Sequence, residues 1–242
     1  LLGGLAAVAG GGAAAAWFGT DLLRTRTEAR VGGTVGLADI EPPPPSAEAG
    51  ATPEERGVSD WGFRSIGMVG DSITAGSLAE LEYVFAAHGV VDARIDGVPS
   101  RRIDVGSGGG TPLSGIKTLY GMLAEGLEPD AWVIALGTND IGQYAEEAQY
   151  AGLVDTMVDM LPDDVPLVWV DVFRPDYLDA TETFNRVVRR RLERRDRSAV
   201  ASWFDVASRP DQDVLTGDRI HPNRDGNAAF AGLVAAALAT LT

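Results

Sequence analysis

A chain of 242 residues with only two histidines, His88 and His221, leaves little choice of base for any serine it might use as a nucleophile. Serine attacks poorly until a neighbouring group takes its proton. The serine in question is Ser72, in "GMVGDSITAG" (67–76), where an apolar run stops at a glycine and Asp71, Ser72 and Thr74 follow. His88 ends a helical pattern just before Gly89, a place where an imidazole serves the helix C-terminus. His221, in "GDRIHPN" (217–223), is therefore the candidate base. Asp218 precedes it by three residues, a spacing that lets a carboxylate reach the back of the ring and fix its tautomer. Acyl transfer also needs donors for a developing oxyanion. Asn139 in "GTND" (137–140) offers a side-chain amide, and Ser72 offers its own backbone N–H. Glycine N–H groups are unobstructed, and Gly109 and Gly110 in "GSGGGT" (106–111) and Gly97 in "IDGVPSRR" are the candidates.

Each piece has an ordinary reading by itself. Ser72 or Asp71 could simply cap a helix, and Asn139-Asp140 could be turn residues that tolerate left-handed geometry. Asp218 and His221 could form a surface ion pair or part of a metal site, and a glycine run is commonly a flexible loop. All four ordinary readings must hold together to displace the single catalytic one.

The elements that must position these residues alternate. "RSIGMVG" (64–70) reads as a buried strand and 78–89 as a helix. A second strand falls at 91–96 or at 101–106, then a helix from about Thr111 to Glu125. "AWVIALG" (131–137) is a strand, 144–161 a helix ended by Pro162, and "PLVWVDV" (166–172) a strand. A helix at 179–195, a strand at "AVASWFDV" (199–206) and a closing helix at 227–241 complete the pattern. Strands alternating with helices of this length imply βαβ units and a parallel sheet covered on both faces, an α/β fold. Ligands in such sheets sit beyond the carboxyl ends of the strands. The three polar clusters all lie where a strand has just ended.

In combination these blocks resemble the SGNH, or GDSL-type, hydrolase superfamily, whose name lists catalytic Ser, Gly, Asn and His. "GDSIT" resembles the first block, "GTND" the third and "DRIHPN" the last, over a region running from about residue 64 to the C-terminus. The resemblance implies Ser72, Asp218 and His221 as catalytic residues and Ser72 and Asn139 in the oxyanion hole. "GGGTPLSGI" resembles the family's Gly-x-Thr segment and points to Gly109 for the remaining donor, with Gly110 and Gly97 as alternatives. It further implies a three-layer α/β/α sandwich around a central, mostly parallel five-stranded sheet of flavodoxin-like type. The implied reaction is hydrolysis of a carboxylic ester through an acyl-enzyme, with neither metal nor organic cofactor. The superfamily also includes domains that follow the transmembrane part of cell-envelope O-acyltransferases, so a sugar hydroxyl is the alternative acceptor. A metallophosphoesterase would need several metal-ligating histidines and carboxylates, and one free imidazole is too few.

Composition sets the surroundings. A net charge of −15 and a single lysine, Lys117, argue against nucleic-acid binding, and the expected partner is a small-molecule or glycan ester. The run Arg189-Arg190-Arg191, with Arg194 and Arg195 close behind, reads as a solvated helix face. The absence of cysteine excludes disulfides and thiol catalysis. Residues 1–18 are uncharged and long enough to cross a bilayer, so residues 1–20 are expected to be an anchor, a signal or a last membrane span. Residues 21–59, containing "IEPPPPSAEAGATPEER", read as a proline-rich linker, and 60–242 as the hydrolase domain. The expected location is extracytoplasmic, secreted or membrane-anchored. Specificity would reside in loops 97–115, 140–150 and 173–180; Tyr144, Phe173, Tyr177 and Trp203 are expected to pack in the core or at its rim.

Overall fold

The computed structural model describes residues 33–35 and 61–242. The expected N-terminal stretch 1–20 and the remainder of 21–59 lie outside the described residues. In chain order the elements are β1 (Gly33–Val35), β2 (Ser65–Gly70), α1 (Ser72–Gly76), α2 (Leu78–Ala87), β3 (Asp92–Gly97) and α3 (Gly115–Ala124). Then come β4 (Ala131–Ala135), α4 (Glu147–Asp159), β5 (Leu167–Val170), a short 3₁₀ turn (Pro175–Tyr177), α5 (Leu178–Leu192), β6 (Ser198–Ala201), α6 (Trp203–Ala207) and α7 (Arg224–Ala239). The sheet order is β1-β6-β5-β4-β2-β3, and every pairing is parallel. The five strands of the domain form the expected parallel sheet. β1, inside the stretch expected as linker, adds a sixth strand along β6, with Gly33 opposite Ala199.

Strand residues alternate between two cores, which is why these strands read as nearly continuous apolar runs. On one face Ile66, Met68, Val133, Val168 and Ala199 pack with residues of α2, α6 and α7. On the other Val69, Trp132, Ile134, Trp169 and Val200 pack with α3, α4 and α5. The three-layer sandwich is thus dictated by the period of two along each strand. Winding reverses between β2 and β4, so the crevice for a ligand opens beyond the carboxyl ends of those two strands.

Several boundaries shift for local reasons. α3 starts at Gly115, later than the spacing suggested, because Ser114 caps it by accepting the Lys117 N–H. α4 starts at Glu147 because Glu146 and Gln149 form a reciprocal capping box. The second strand is Asp92–Gly97, and residues 101–106 do not form one. The run "AVASWFDV" is only half strand. The buried carboxylate of Asp171, just past β5, accepts the Phe204 N–H at 2.8 Å and the Ser202 hydroxyl at 3.1 Å. Those bonds turn the chain into α6, whose Trp203 packs edge-on against Phe230. Arg189 also donates to Asp171, at 2.6 Å. Burial pushes the Asp171 carboxyl up to about 7, against the backbone bond and the Arg189 charge.

Asp171→Ala leaves the Phe204 N–H and the Ser202 hydroxyl without an acceptor in the interior. It is expected to lower unfolding free energy by about 1–3 kcal/mol, read by urea denaturation. An unchanged midpoint would show that α6 does not depend on this carboxylate.

Candidate active site

The first turn after β2 is built by close approach. α1 starts at Ser72 because Asp71 caps it, accepting the Ile73 N–H at 2.9 Å. A Cβ on Gly70 would sit 1.9 Å from Thr74 Oγ1, and one on Gly97 would sit 2.6 Å from the Ala75 nitrogen. These two glycines end adjacent strands, opposite each other in register, and let α1 lie directly on the sheet edge. Gly97 is therefore a packing residue beneath the Ser72 turn.

Ser72 Oγ lies 2.9 Å from His221 Nε2, across 149 residues of sequence. His221 Nδ1 lies 2.6 Å from Asp218 Oδ2. The segment carrying this pair is pinned before α7. Asn223 caps α7 through the Gly226 N–H and donates to the carbonyl of Asp213 at 2.8 Å, while the Thr216 N–H donates to the His221 carbonyl at 2.8 Å. Asp218 Oδ1 also accepts from the Thr216 hydroxyl and from the Ile220 and His221 N–H groups. His221 and these backbone donors hold the Asp218 carboxyl far below the usual carboxylate range, so it stays ionised. Both side chains are about half exposed, which leaves the imidazole open to solvent and substrate. His88, by contrast, caps α2 and stacks on Trp61 at 4.0 Å, well separated in role from this site.

Asn139 follows β4. Its amide Nδ2 donates to the Arg101 carbonyl at 3.0 Å and approaches Asp71 Oδ2 at 3.4 Å. Asp71 thus joins the nucleophile turn to the amide. It is 1% exposed, and burial pushes its carboxyl up to about 6 against the Ile73 and Thr138 bonds and the His221 charge. Asp140 is fully buried, accepts the Ile103 N–H at 3.1 Å and pairs with Arg102, and burial raises it to about 6 as well.

The structure therefore links Ser72, His221 and Asp218 directly and Asn139 through Asp71. It does not link Gly109. That residue is exposed at φ +67 with no heavy atom within 4 Å of where a Cβ would stand, and Gly110 is likewise open. The backbone that meets Asn139 belongs to the 98–102 turn, inside the 97–115 loop expected to set specificity but not among the expected oxyanion donors. Its signal was faint: two adjacent arginines after Pro99-Ser100, one of them buried. Of the aromatic residues, Phe173 and Trp203 are in the core, Tyr144 stacks under Arg102, and Tyr177 is 48% exposed beneath Arg174.

The profile of the GDSL-like Lipase/Acylhydrolase family matches residues 68–229. The chain belongs to this family. Solved structures with the same fold include TesA, with a TM-score of 0.56 at 22% identity, covering 70% of this chain and 95% of TesA. They also include the C-terminal catalytic domain of Streptococcus pneumoniae peptidoglycan O-acetyltransferase A, with a methylsulfonyl adduct. That match has a TM-score of 0.56 at 19% identity, covering 72% of this chain and 91% of the domain. The esterase EstA from Pseudoalteromonas, inhibited by monoethylphosphonate, matches with a TM-score of 0.52 at 15% identity over 71% of this chain and 94% of its own. A comparison with curated protein sequences finds no match.

In this GDSL-family chain the buried Asp71 sets stability against site geometry. Its folded pKa of about 6 exceeds the ordinary 3.8, so the folded chain keeps the proton after the unfolded chain has released it. Stability therefore falls as pH rises between those values and stays lower above them. Asp71→Asn keeps the cap but turns an amide nitrogen toward the Asn139 amide. Relative to wild type, the variant is expected to gain about 1–3 kcal/mol near neutral pH and little near pH ~4, while ester turnover drops about tenfold. Urea unfolding at the two pH values, with a turnover assay, checks this; equal differences at both would contradict it.

Proposed function

We propose that the protein is a serine-dependent ester hydrolase working through an acyl-enzyme. One observation carries the reading: Ser72 Oγ, His221 and Asp218 form a continuous hydrogen-bonded chain, at 2.9 and 2.6 Å, on the sheet edge where ligands bind. His221 Nε2 takes the hydroxyl proton as Oγ bonds to the ester carbonyl carbon, and Asp218 stabilises the imidazolium. In this reading the Ser72 N–H and the Asn139 amide donate to the negative charge that develops on the carbonyl oxygen, the amide releasing its long 3.4 Å bond to Asp71 to do so. As the tetrahedral adduct collapses, the C–O bond to the alcohol breaks and His221 returns its proton to the leaving oxygen. Water then adds to the acyl-enzyme with His221 again as base, releasing the acid and restoring Ser72. We assign the remaining oxyanion donor to the 98–102 turn, supported by the bond from the Asn139 amide to the Arg101 carbonyl, in preference to the exposed Gly109.

A sugar hydroxyl could replace water in the second step. The fold shared with a peptidoglycan O-acetyltransferase catalytic domain makes that acceptor the second reading. The uncharged residues 1–18 and the proline-rich stretch after them support a membrane-tethered, extracytoplasmic setting. Adding an oligosaccharide to the ester assay separates the acceptors, since transfer yields acylated sugar by mass and hydrolysis yields only free acid.

Ser72→Ala is expected to cut hydrolysis of p-nitrophenyl acetate by about 10³-fold or more, with unchanged circular dichroism. Wild type should gain the mass of one fluorophosphonate adduct, and the variant none. Undiminished turnover or labelling in the variant defeats the assignment.

A further inference from the structure

We infer that Arg101 is the positioning residue that holds the turn bearing Ser72 in register with the amide of Asn139. This inference rests on the acyl-transfer reading above. Arg101 is 2% exposed, and its guanidinium donates to four acceptors drawn from three segments of chain. Nη1 donates to the Gly70 carbonyl at 3.0 Å and to the Asp96 carbonyl at 2.6 Å. Nη2 donates to Asp96 Oδ1 at 2.8 Å, and Nε to the Leu113 carbonyl at 3.1 Å. Gly70 is the last residue of β2, one step before Asp71 and two before Ser72. The side chain therefore grips the root of the nucleophile turn, while the main-chain carbonyl of the same residue receives the Asn139 amide at 3.0 Å. Beside the direct Asp71–Asn139 bond at 3.4 Å, this residue thus supplies a second and shorter tie between the Ser72 turn and the Asn139 amide.

The surrounding backbone confirms the direction of the load. Ser100 holds φ +62, a left-handed conformation that a residue with a Cβ adopts at a cost. Such strain persists only where neighbouring contacts over-determine it. Here they do: the Val98 N–H donates to the same Gly70 carbonyl at 3.3 Å, and the Arg101 N–H returns to the Val98 carbonyl at 3.3 Å. The turn is tied to Gly70 from both its backbone and its guanidinium. A lysine ammonium is a single point with three donors and cannot span acceptors spread along this fork.

Arg195 supplies the contrast. It is equally buried, at 4% exposure, and donates to the carbonyls of Leu161, Pro162 and Val165 and to Asp163. Those acceptors precede β5, so they stand at the opposite, amino-terminal edge of the sheet. Arg195 therefore has a comparable structural load and no route to the site.

The experiment compares Arg101→Lys, Arg101→Met and Arg195→Met with wild type in p-nitrophenyl acetate kinetics, fluorophosphonate labelling rate and melting temperature. In both Arg101 variants kcat and the labelling rate are expected to fall together by about 10–100-fold with KM nearly constant, the signature of a displaced reacting geometry. Arg195→Met is expected to melt earlier while keeping wild-type kcat. Should Arg101→Met fail to fold, Arg101→Lys decides, together with Asp96→Asn. The Asp96 side chain is 34% exposed, and the variant should fold with a several-fold lower kcat. A folded Arg101→Lys with kcat within about twofold of wild type overturns the inference, as does an equal kcat loss in Arg195→Met. A wild type that neither turns over ester nor takes the label overturns the catalytic reading itself, and Arg101's role with it.

Discussion

The contact between Ser72 and His221 requires the two ends of the domain to meet at one edge of the sheet, and most of the architecture serves that closure. β2 delivers Ser72 to the carboxyl edge, and the winding reversal between β2 and β4 opens a crevice there. α7 packs across one face against α2 and α6, fixing the start of the helix that carries His221 just ahead of it. The loop itself has little regular structure, so Asn223 and the Thr216–His221 backbone bond supply its shape. Rigid layers set where the imidazole stands, and side-chain bonds to the backbone set which way it faces.

The carboxyl edge of the sheet also collects buried acids. Asp71, Asp140 and Asp171 follow β2, β4 and β5 respectively, and burial raises all three. Each accepts at least one backbone N–H, so each shapes a loop while carrying a desolvation cost. Asp71 accepts from the Asn139 amide, Asp140 accepts the Ile103 N–H and pairs with Arg102, and Asp171 shapes the chain after β6. Asp218 contrasts with them in the same neighbourhood. It is half exposed, has four donors on it, and is held ionised opposite the imidazole. Solvent access thus separates the three buried carboxylates from the exposed one that is bonded to the imidazole as well as to its own loop.

Apolar periodicity made the sheet readable from residues alone. "SIGMVG", "AWVIA" and "LVWV" are short runs buried on both faces, and a parallel strand in a covered sheet leaves that signature. Scarcity made the hydrogen-bonded chain of Ser72, His221 and Asp218 readable, because one histidine away from an apparent helix end, with an acid three residues earlier, left few alternatives. Boundaries shifted where a specific side-chain bond, long-range in one case and local in the other, overrode the apolar pattern. "AVASWFDV" breaks after Ala201 because Asp171, some 30 residues earlier, captures Ser202 and Phe204. The helix expected from Thr111 waits for the Ser114 cap.

By itself, then, the sequence determined the layered α/β fold and singled out Ser72, Asn139, Asp218 and His221 as the residues to bring together, although the His221 loop follows α6 rather than a strand end. Tertiary structure alone decided what touches Asn139. Three glycines were plausible donors by type, yet Gly97 packs under α1 and Gly109 and Gly110 stand in the open. The backbone at the amide is that of Arg101, a residue whose type suggests solvent. No local rule marks an arginine for burial; four acceptors from distant segments must first converge around it, and only the folded chain brings them together.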